Sequence, residues 1–332
     1  MTETLPAYAD VVAAAGRLAG KLVETPLLSH PVLDEMAGAQ VFLKAEPLQR
    51  TGSFKFRGAS HALARLPEAA RGAGVVTYSS GNHGQAVAAA AAAAGMAATV
   101  FMPADAPAIK RASTARWGAE IRLFDRMRED REALAGAFAL ARGATIIPPF
   151  DHPDVIAGQG TLALEIFAAC RAQGVTPAAL LVPAGGGGLI AGCALATSGV
   201  SPDTRVYAVE PEGWDDTSRS LAAGDRLANP GDGATLCDAL LAPRPGRLTF
   251  AINRRLLAGG LVVSEAEVRA AMAFAFRHLK LVVEPGGAVA LAALLGGKYP
   301  AKGRAVAVVL SGGNVDPALF ATVLAEQRGE SA

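Results

Sequence analysis

Four short loops carry the residues able to do chemistry in this chain. In TGSFKFRGAS, Thr51–Ser60, Lys55 lies between Phe54 and Phe56, directly after a Gly-Ser pair. Ser53 has the chemistry of a helix cap, and a helix running from Phe54 to Leu66 puts Lys55 in its first turn, near the positive end of the dipole. That position and the apolar neighbours both lower an amine's pKa, and a neutral lysine amine is the nucleophile that condenses with a carbonyl. Taken alone, the stretch reads more simply as a surface lysine snorkelling over apolar side chains. The second loop, SSGNHGQ at Ser79–Gln85, joins a strand to an alanine-rich helix. Its glycines allow close approach of the backbone, and the helix start offers free N–H groups to a carboxylate or phosphate. A plain Ser or Asn cap accounts for one polar residue there, not for five in a row.

The third loop, PAGGGGLIAG at Pro183–Gly192, again lies between a buried strand and a helix. Four consecutive glycines can form a nest of N–H groups around one anion, which holds a phosphate without basic side chains. No Lys-Ser/Thr follows, so this is not a P-loop, and G-x-G-x-x-G is absent. The alternative is a flexible spacer, which the strand and helix that flank the glycines so closely would leave with little use. The fourth loop, VVLSGGNVD at Val308–Asp316, sets Ser311 at the end of a late strand, although Ser-Gly-Gly-Asn is also an ordinary turn. Together the loops offer a Schiff-base lysine, a phosphate nest, a carboxylate site and a strand-end hydroxyl. That inventory fits pyridoxal phosphate and an amino-acid substrate.

Elements must position these loops. Short β-branched runs at Val41–Lys44, Gly74–Tyr78, Ala98–Met102, Glu120–Phe124, Thr145–Ile147, Leu180–Val182, Arg205–Val209, Leu261–Val263 and Ala305–Leu310 read as strands. Alanine- and leucine-rich helical segments fall between most of them, one opened by a capping box of Ser264 and Glu267. Such alternation predicts an α/β fold with mostly parallel, helix-covered open sheets, in which ligands sit at the carboxyl ends of strands. The composition agrees. Half of the 332 residues are hydrophobic, and 31 basic against 30 acidic residues leave a net charge of +1. There is no electrostatic case for nucleic acid or an anionic membrane. Cys170, Cys193 and Cys237 have no metal-like or redox spacing and read as core residues of a cytoplasmic protein. MTETLPAYAD lacks the layout of a signal peptide, and the most apolar runs are too short or too broken to span a membrane.

With these motifs in this order, the sequence resembles the serine/threonine dehydratase and serine racemase group of fold-type II pyridoxal-phosphate enzymes, from about Thr25 to about Asp316. KAEPLQRTGSFKFRGA matches the family's lysine loop, SSGNHGQA its asparagine loop, AGQGTLALEI the helix that follows, and PAGGGGLIAG its tetraglycine loop. VEPEGWDD matches its metal-site region and VLSGGNVD its ring-nitrogen loop. The resemblance implies two domains with open sheets: residues 1–48 and 146–332 as a large cofactor-binding domain, and 49–145 as a small domain carrying the lysine and asparagine loops. It implies that Lys55 holds the cofactor as a Schiff base and moves the α-proton, and that Phe54 packs beside the ring. Asn82 faces its phenolic oxygen, Gly185, Gly186, Gly187, Gly188 and the N–H of Leu189 hold its phosphate, and Ser311 faces its ring nitrogen. Ser79, Ser80, Asn82 and His83 surround the substrate carboxylate, with Ser80 at the position that serves racemases as the acid/base on the opposite face.

A neutral hydroxyl at the ring nitrogen makes the cofactor a weaker electron sink than an aspartate would, which favours early loss of a β-substituent. The expected activity is therefore elimination of water from L-serine or L-threonine, giving a 2-oxo acid and ammonia. A serine racemase or a 3-hydroxyaspartate dehydratase is the alternative on the same scaffold. The resemblance also implies a homodimer and a Mg²⁺ or Ca²⁺ site at Glu210, the carbonyl of Trp214, and Asp216. One departure touches the substrate: where many relatives have glycine after an Ala-Asp pair, TLCDALLAP, Thr235–Pro243, has Cys237-Asp238-Ala239. The chain has no room after its last motif for the regulatory domain of biosynthetic threonine dehydratases, so a catabolic role is expected.

Overall fold

The computed structural model describes residues 4–230 and 235–327. Among the described residues, ten strands make two sheets: β1 (Leu27–Leu28), β2 (Gln40–Ala45), β3 (Val75–Tyr78), β4 (Ala98–Pro103), β5 (Glu120–Phe124), β6 (Thr145–Ile146), β7 (Ala179–Pro183), β8 (Arg205–Pro211), β9 (Leu257–Val263) and β10 (Ala305–Leu310). One sheet runs β1-β2-β10-β7-β8-β9 and the other β5-β4-β3-β6. Every pairing is parallel except that of β1 with β2. Strands such as β7 and β10, rich in Val and Leu, are buried along almost their whole length, because helices cover both faces of a parallel sheet.

All nine expected strands are present, and two features differ. The tiny β1 has too few residues to show a period. Strand β9 starts four residues earlier than expected, because Gly259 and Gly260 interrupt its β-branched pattern. A Cβ on Gly260 would fall 2.0 Å from Ser218 Oγ, so the gap is what lets the helix Asp216–Ala223 lie against the strand.

The expected helix after Ser53 also begins differently. It spans Lys55–Ala64, with Phe54 at the cap position in a helical conformation and no side-chain cap. Ser53 is extended and forms an isolated bridge with Gly312, and its hydroxyl has no partner, so Ser53 ties the lysine loop to the Ser311 loop rather than capping a helix. Lys55 keeps its place in the first turn.

That helix is held by the long helix Pro153–Ala172. A Cβ on Gly158 would come within 2.7 Å of Gly58 Cα, so two glycines let the helices touch backbone to backbone. Beside this contact lies a buried charge cluster. Arg57, two residues after Lys55, gives five hydrogen bonds: two to Glu46 at 2.8 Å, two to Glu165 at 2.6 and 2.8 Å, and one to Thr161 at 3.2 Å. Lys44 adds a bond of 2.6 Å to Glu165, so two cations face two carboxylates. Pro153–Ala172 is the one described helix long and apolar enough to cross a membrane by length and composition, and two thirds of it is buried inside the protein. Ser264 and Glu267 form the expected capping box, and the three cysteines are free and buried.

Candidate active site

The four loops meet around one cavity of about 740 Å³, lined among others by Phe54, Lys55, Ser79, Ser80, Asn82, His83, Gly185, Gly186, Gly187, Gly188, Leu189 and Ser311. Lys55 Nζ donates to the carbonyl of Pro149 at 2.7 Å and sits 5.1 Å from the centre of the Phe54 ring. Burial lowers its pKa from 10.5 to about 8, against the opposing pull of Glu284. A substantial neutral fraction near physiological pH is what a lysine needs to attack a carbonyl.

The glycine loop leads from β7 into the helix Gly188–Val200, which starts without a side-chain cap. Gly187 has φ +90°, and a Cβ on Gly186 would lie 2.4 Å from the Phe150 ring. The backbone is thus pressed against Phe150 on one side, and the same glycines line the cavity. The helix Asn82–Ala93 likewise starts uncapped, after Gly81. A Cβ on Gly81 would strike the Lys110 stem at 2.6 Å, so that lysine roofs the loop.

Asn82 is gripped from both sides. Its Nδ2 donates to Glu284 Oε1 at 2.5 Å, and its Oδ1 accepts from Asn314 Nδ2 at 2.9 Å. His83 is buried, with Nε2 3.0 Å from the carbonyl of Ile147 and Nδ1 unpartnered. A carbonyl only accepts, so Nε2 carries the proton and Nδ1 presents a lone pair. Burial, then the charge of Lys55, pushes the imidazole down to about 3, so it stays neutral. A lone pair does not bind a carboxylate, and only the backbone of His83 suits the carboxylate role expected from the resemblance.

Several cavity residues escaped the sequence reading. Lys110 reaches Asp238 at 2.5 Å and lies 4.0 Å from Glu284. Burial pushes the Glu284 carboxyl up to about 7, opposed by Lys110. The sequence signal for Glu284 is a lone carboxylate in the apolar run LVVEPGGAVALAALL, and its place before Pro285 suits a plain helix boundary equally well. Arg131, also on the cavity wall, stands over Tyr78 at 5.4 Å and forms no ion pair among the described residues. Nothing in its local sequence separates it from a solvated helix start.

Glu210 and Asp216 lie at the end of β8 and the start of the next helix, both fully buried. Glu210 accepts from the N–H groups of Thr217 and Ser218 and from the Ser218 hydroxyl, whereas Asp216 accepts from Asn229 and keeps Oδ2 without a partner. Neither carboxylate has an ion-pair partner among the described residues. Trp214 lies between them in sequence and lines the cavity.

Comparison with known proteins agrees with this geometry. Residues 19–312 match the family described as pyridoxal-phosphate dependent enzyme. The chain belongs to that family. The L-threo-3-hydroxyaspartate ammonia-lyase of a Pseudomonas species is 46% identical over 321 residues, 96% of this chain and 99% of that one. The structure of maize serine racemase superposes with a TM-score of 0.91 at 34% identity, covering 97% of this chain and 98% of that one. The crystal structure of T.th. threonine deaminase gives a TM-score of 0.87 at 44% identity, covering 94% and 99%. The chain is a fold-type II enzyme of the dehydratase and racemase group, a lyase scaffold whose cofactor is pyridoxal 5'-phosphate. The residues present fit that cofactor: a glycine cradle that a Cβ would fill, and an amine of lowered pKa opposite it.

Proposed function

We propose that this enzyme is an ammonia-lyase that eliminates water from β-hydroxy amino acids and prefers a substrate with a second carboxylate, such as L-threo-3-hydroxyaspartate, over serine and threonine. The observation that carries the preference is Arg131, a cation on the cavity wall that stands over Tyr78 and forms no ion pair among the described residues. The nearby Lys110 is already neutralised by Asp238, which leaves Arg131 to meet a distal carboxylate. The 46% identity with a 3-hydroxyaspartate ammonia-lyase supports the same reading.

When bound, the cofactor supplies the electron sink that makes the substrate's α-proton removable. Lys55 would hold the cofactor through its carbonyl and carry that proton, and Phe54 would pack beside the ring. Gly185 to Gly188 and the N–H of Leu189 would hold the phosphate. The Ser311 hydroxyl would meet the ring nitrogen, and Asn82 would donate to the phenolic oxygen. Ser79, Ser80 and the backbone of Asn82 and His83 receive the α-carboxylate, and Ser80 is the proton donor if racemisation accompanies elimination. Loss of the β-hydroxyl as water leaves an enamine, which tautomerises and hydrolyses to a 2-oxo acid and ammonia.

Glu210, the Trp214 carbonyl and Asp216 are hard oxygen donors suited to Mg²⁺ or Ca²⁺, and the unpartnered Asp216 oxygen supports a cation there. Residues 1–48 with 146–332, and 49–145, are read as large and small domains of a cytoplasmic homodimer.

The decisive assay compares 2-oxo acid release from 3-hydroxyaspartate, serine and threonine by wild type and Arg131→Leu. Loss of a charge-assisted contact should lower kcat/KM for 3-hydroxyaspartate by roughly 100-fold. Serine turnover should stay within about threefold, since serine lacks the group Arg131 meets. Equal losses on all three substrates would refute the assignment.

A further inference from the structure

We propose that Glu284 is a positioning residue that acts through Asn82, fixing its amide so that an N–H, not the carbonyl oxygen, faces the cofactor. The inference rests on the assignment of the cavity to pyridoxal phosphate and adds a part to it. An asparagine amide has two faces of opposite character, and nothing in the residue itself says which one a ligand meets. Here the surroundings decide.

Asn314 sits on one side of the amide. Its Nδ2 donates to the carbonyl of Thr51 at 2.8 Å and to Asn82 Oδ1 at 2.9 Å, so both of its N–H groups are committed. Asn314 therefore offers only a donor to Asn82. On the other side lies Glu284 Oε1, 2.5 Å from Asn82 Nδ2. Turning the Asn82 amide over would set oxygen against carboxylate oxygen and N–H against N–H. With Glu284 ionised both contacts would become repulsive, and with it protonated the clash of N–H against N–H remains; Asn82 and Glu284 are 9% and 1% exposed, so water relieves little of that cost. One orientation survives, and in it the second Nδ2 hydrogen is free to point at the phenolic oxygen of the ring.

Glu284 is itself placed by the loop that carries Ser311. Its N–H donates to the carbonyl of Gly312 at 3.0 Å, and a Cβ on Gly312 would lie 2.3 Å from Glu284 Oε1. Its other oxygen accepts no hydrogen bond and lies 4.0 Å from Lys110. The carboxyl is thus surrounded by Lys110, Asp238 and Lys55 as its charged neighbours. It serves as an anchor for the amide while touching no reacting atom in the proposed assignment.

The test uses the holoenzyme and reads cofactor retention and its visible absorbance, not turnover. In Glu284→Ala the dissociation constant for pyridoxal phosphate should rise at least about tenfold, the worth of a lost charged hydrogen bond, and the visible band should shift. Glu284→Gln keeps an oxygen that accepts from Asn82 and should stay within about threefold of wild type. In an Asn82→Ala background the Glu284→Ala change should add nothing, because the residue through which it acts is gone. A purely structural role predicts additive losses instead, and that result overturns the proposal, as does wild-type retention by Glu284→Ala. If Glu284→Ala does not fold, Asn314→Leu, half-buried in its loop, decides: it should weaken retention and shift the band, and an unchanged band overturns the proposal. Wild-type protein that binds no pyridoxal phosphate would instead defeat the cofactor assignment itself, so the two failures are distinguishable.

Discussion

Replacing Arg57 by methionine should destabilise the protein by about 3–5 kcal/mol, the usual result of stranding a buried charge. All five N–H donors of Arg57 are used, four of them on Glu46 and Glu165. The two carboxylates differ in what they lose. Glu165 is 21% exposed and keeps Lys44, whereas the Glu46 carboxylate is wholly buried and, among the described residues, keeps only the hydroxyl of Thr25. The cost therefore concentrates on Glu46. At about 2.1 cal/mol/K of unfolding entropy per residue, a chain of this length unfolding as one unit loses roughly 1.4 °C per kcal/mol, which makes the expected fall in Tm roughly 4–7 °C. The sharper measurement is the double variant. Arg57→Met with Glu46→Gln removes the stranded charge as well, so it should be about 1–2 kcal/mol more stable than Arg57→Met alone, although it has lost more polar contacts. Thermal melts of the three proteins with saturating cofactor test this. A double variant that melts below Arg57→Met, or a single variant within about 1 °C of wild type by the scale above, would refute the account of the cluster. Because Arg57 shares the helix Lys55–Ala64 with Lys55, weaker cofactor retention should accompany the loss of stability.

Two further outcomes follow from the site. With its pKa lowered from 10.5 to about 8, Lys55 gains its neutral amine as pH rises through 8, so cofactor loading of the apoprotein should accelerate up to that range and level off above it. Stopped-flow absorbance would show this, Lys55→Ala should not load covalently at all, and a rate still climbing steeply above about pH 9.5 would contradict the lowered pKa by the same reasoning. Chelation of divalent cations should lower the wild-type Tm, with recovery on adding Mg²⁺ or Ca²⁺, while Asp216→Asn should respond to neither; equal melts with and without EDTA would remove the cation from the proposal.

The nine main strands, their parallel arrangement and the four loops that line the cavity were legible in the amino-acid order. Each depends on a pattern within a few residues: a β-branched run, four glycines after a strand, a lysine in an apolar turn. Such local patterns are imposed by backbone sterics and burial, which act over short stretches of chain. Local chemistry also misled where two segments competed for one residue. Ser53 looked like a cap, yet pairing with Gly312, more than two hundred residues away, took it into an extended bridge. Strand β9 was read short because its glycines answer to Ser218 on another element. The expectation for His83 changed for the same reason, since the carbonyl of Ile147 set its tautomer.

What only the tertiary structure decided is the environment of each group. That Lys55 is desolvated, that Asn82 is held between Glu284 and Asn314, and that Arg131 stands over Tyr78 with no ion pair among the described residues while Lys110 is neutralised depend on contacts between residues far apart in the chain. The sequence by itself determined which functional groups exist and in what order, because side-chain chemistry and short-range pattern are written residue by residue. Their charge, orientation and freedom to meet a substrate are pairwise properties, and pairs form only when the chain folds.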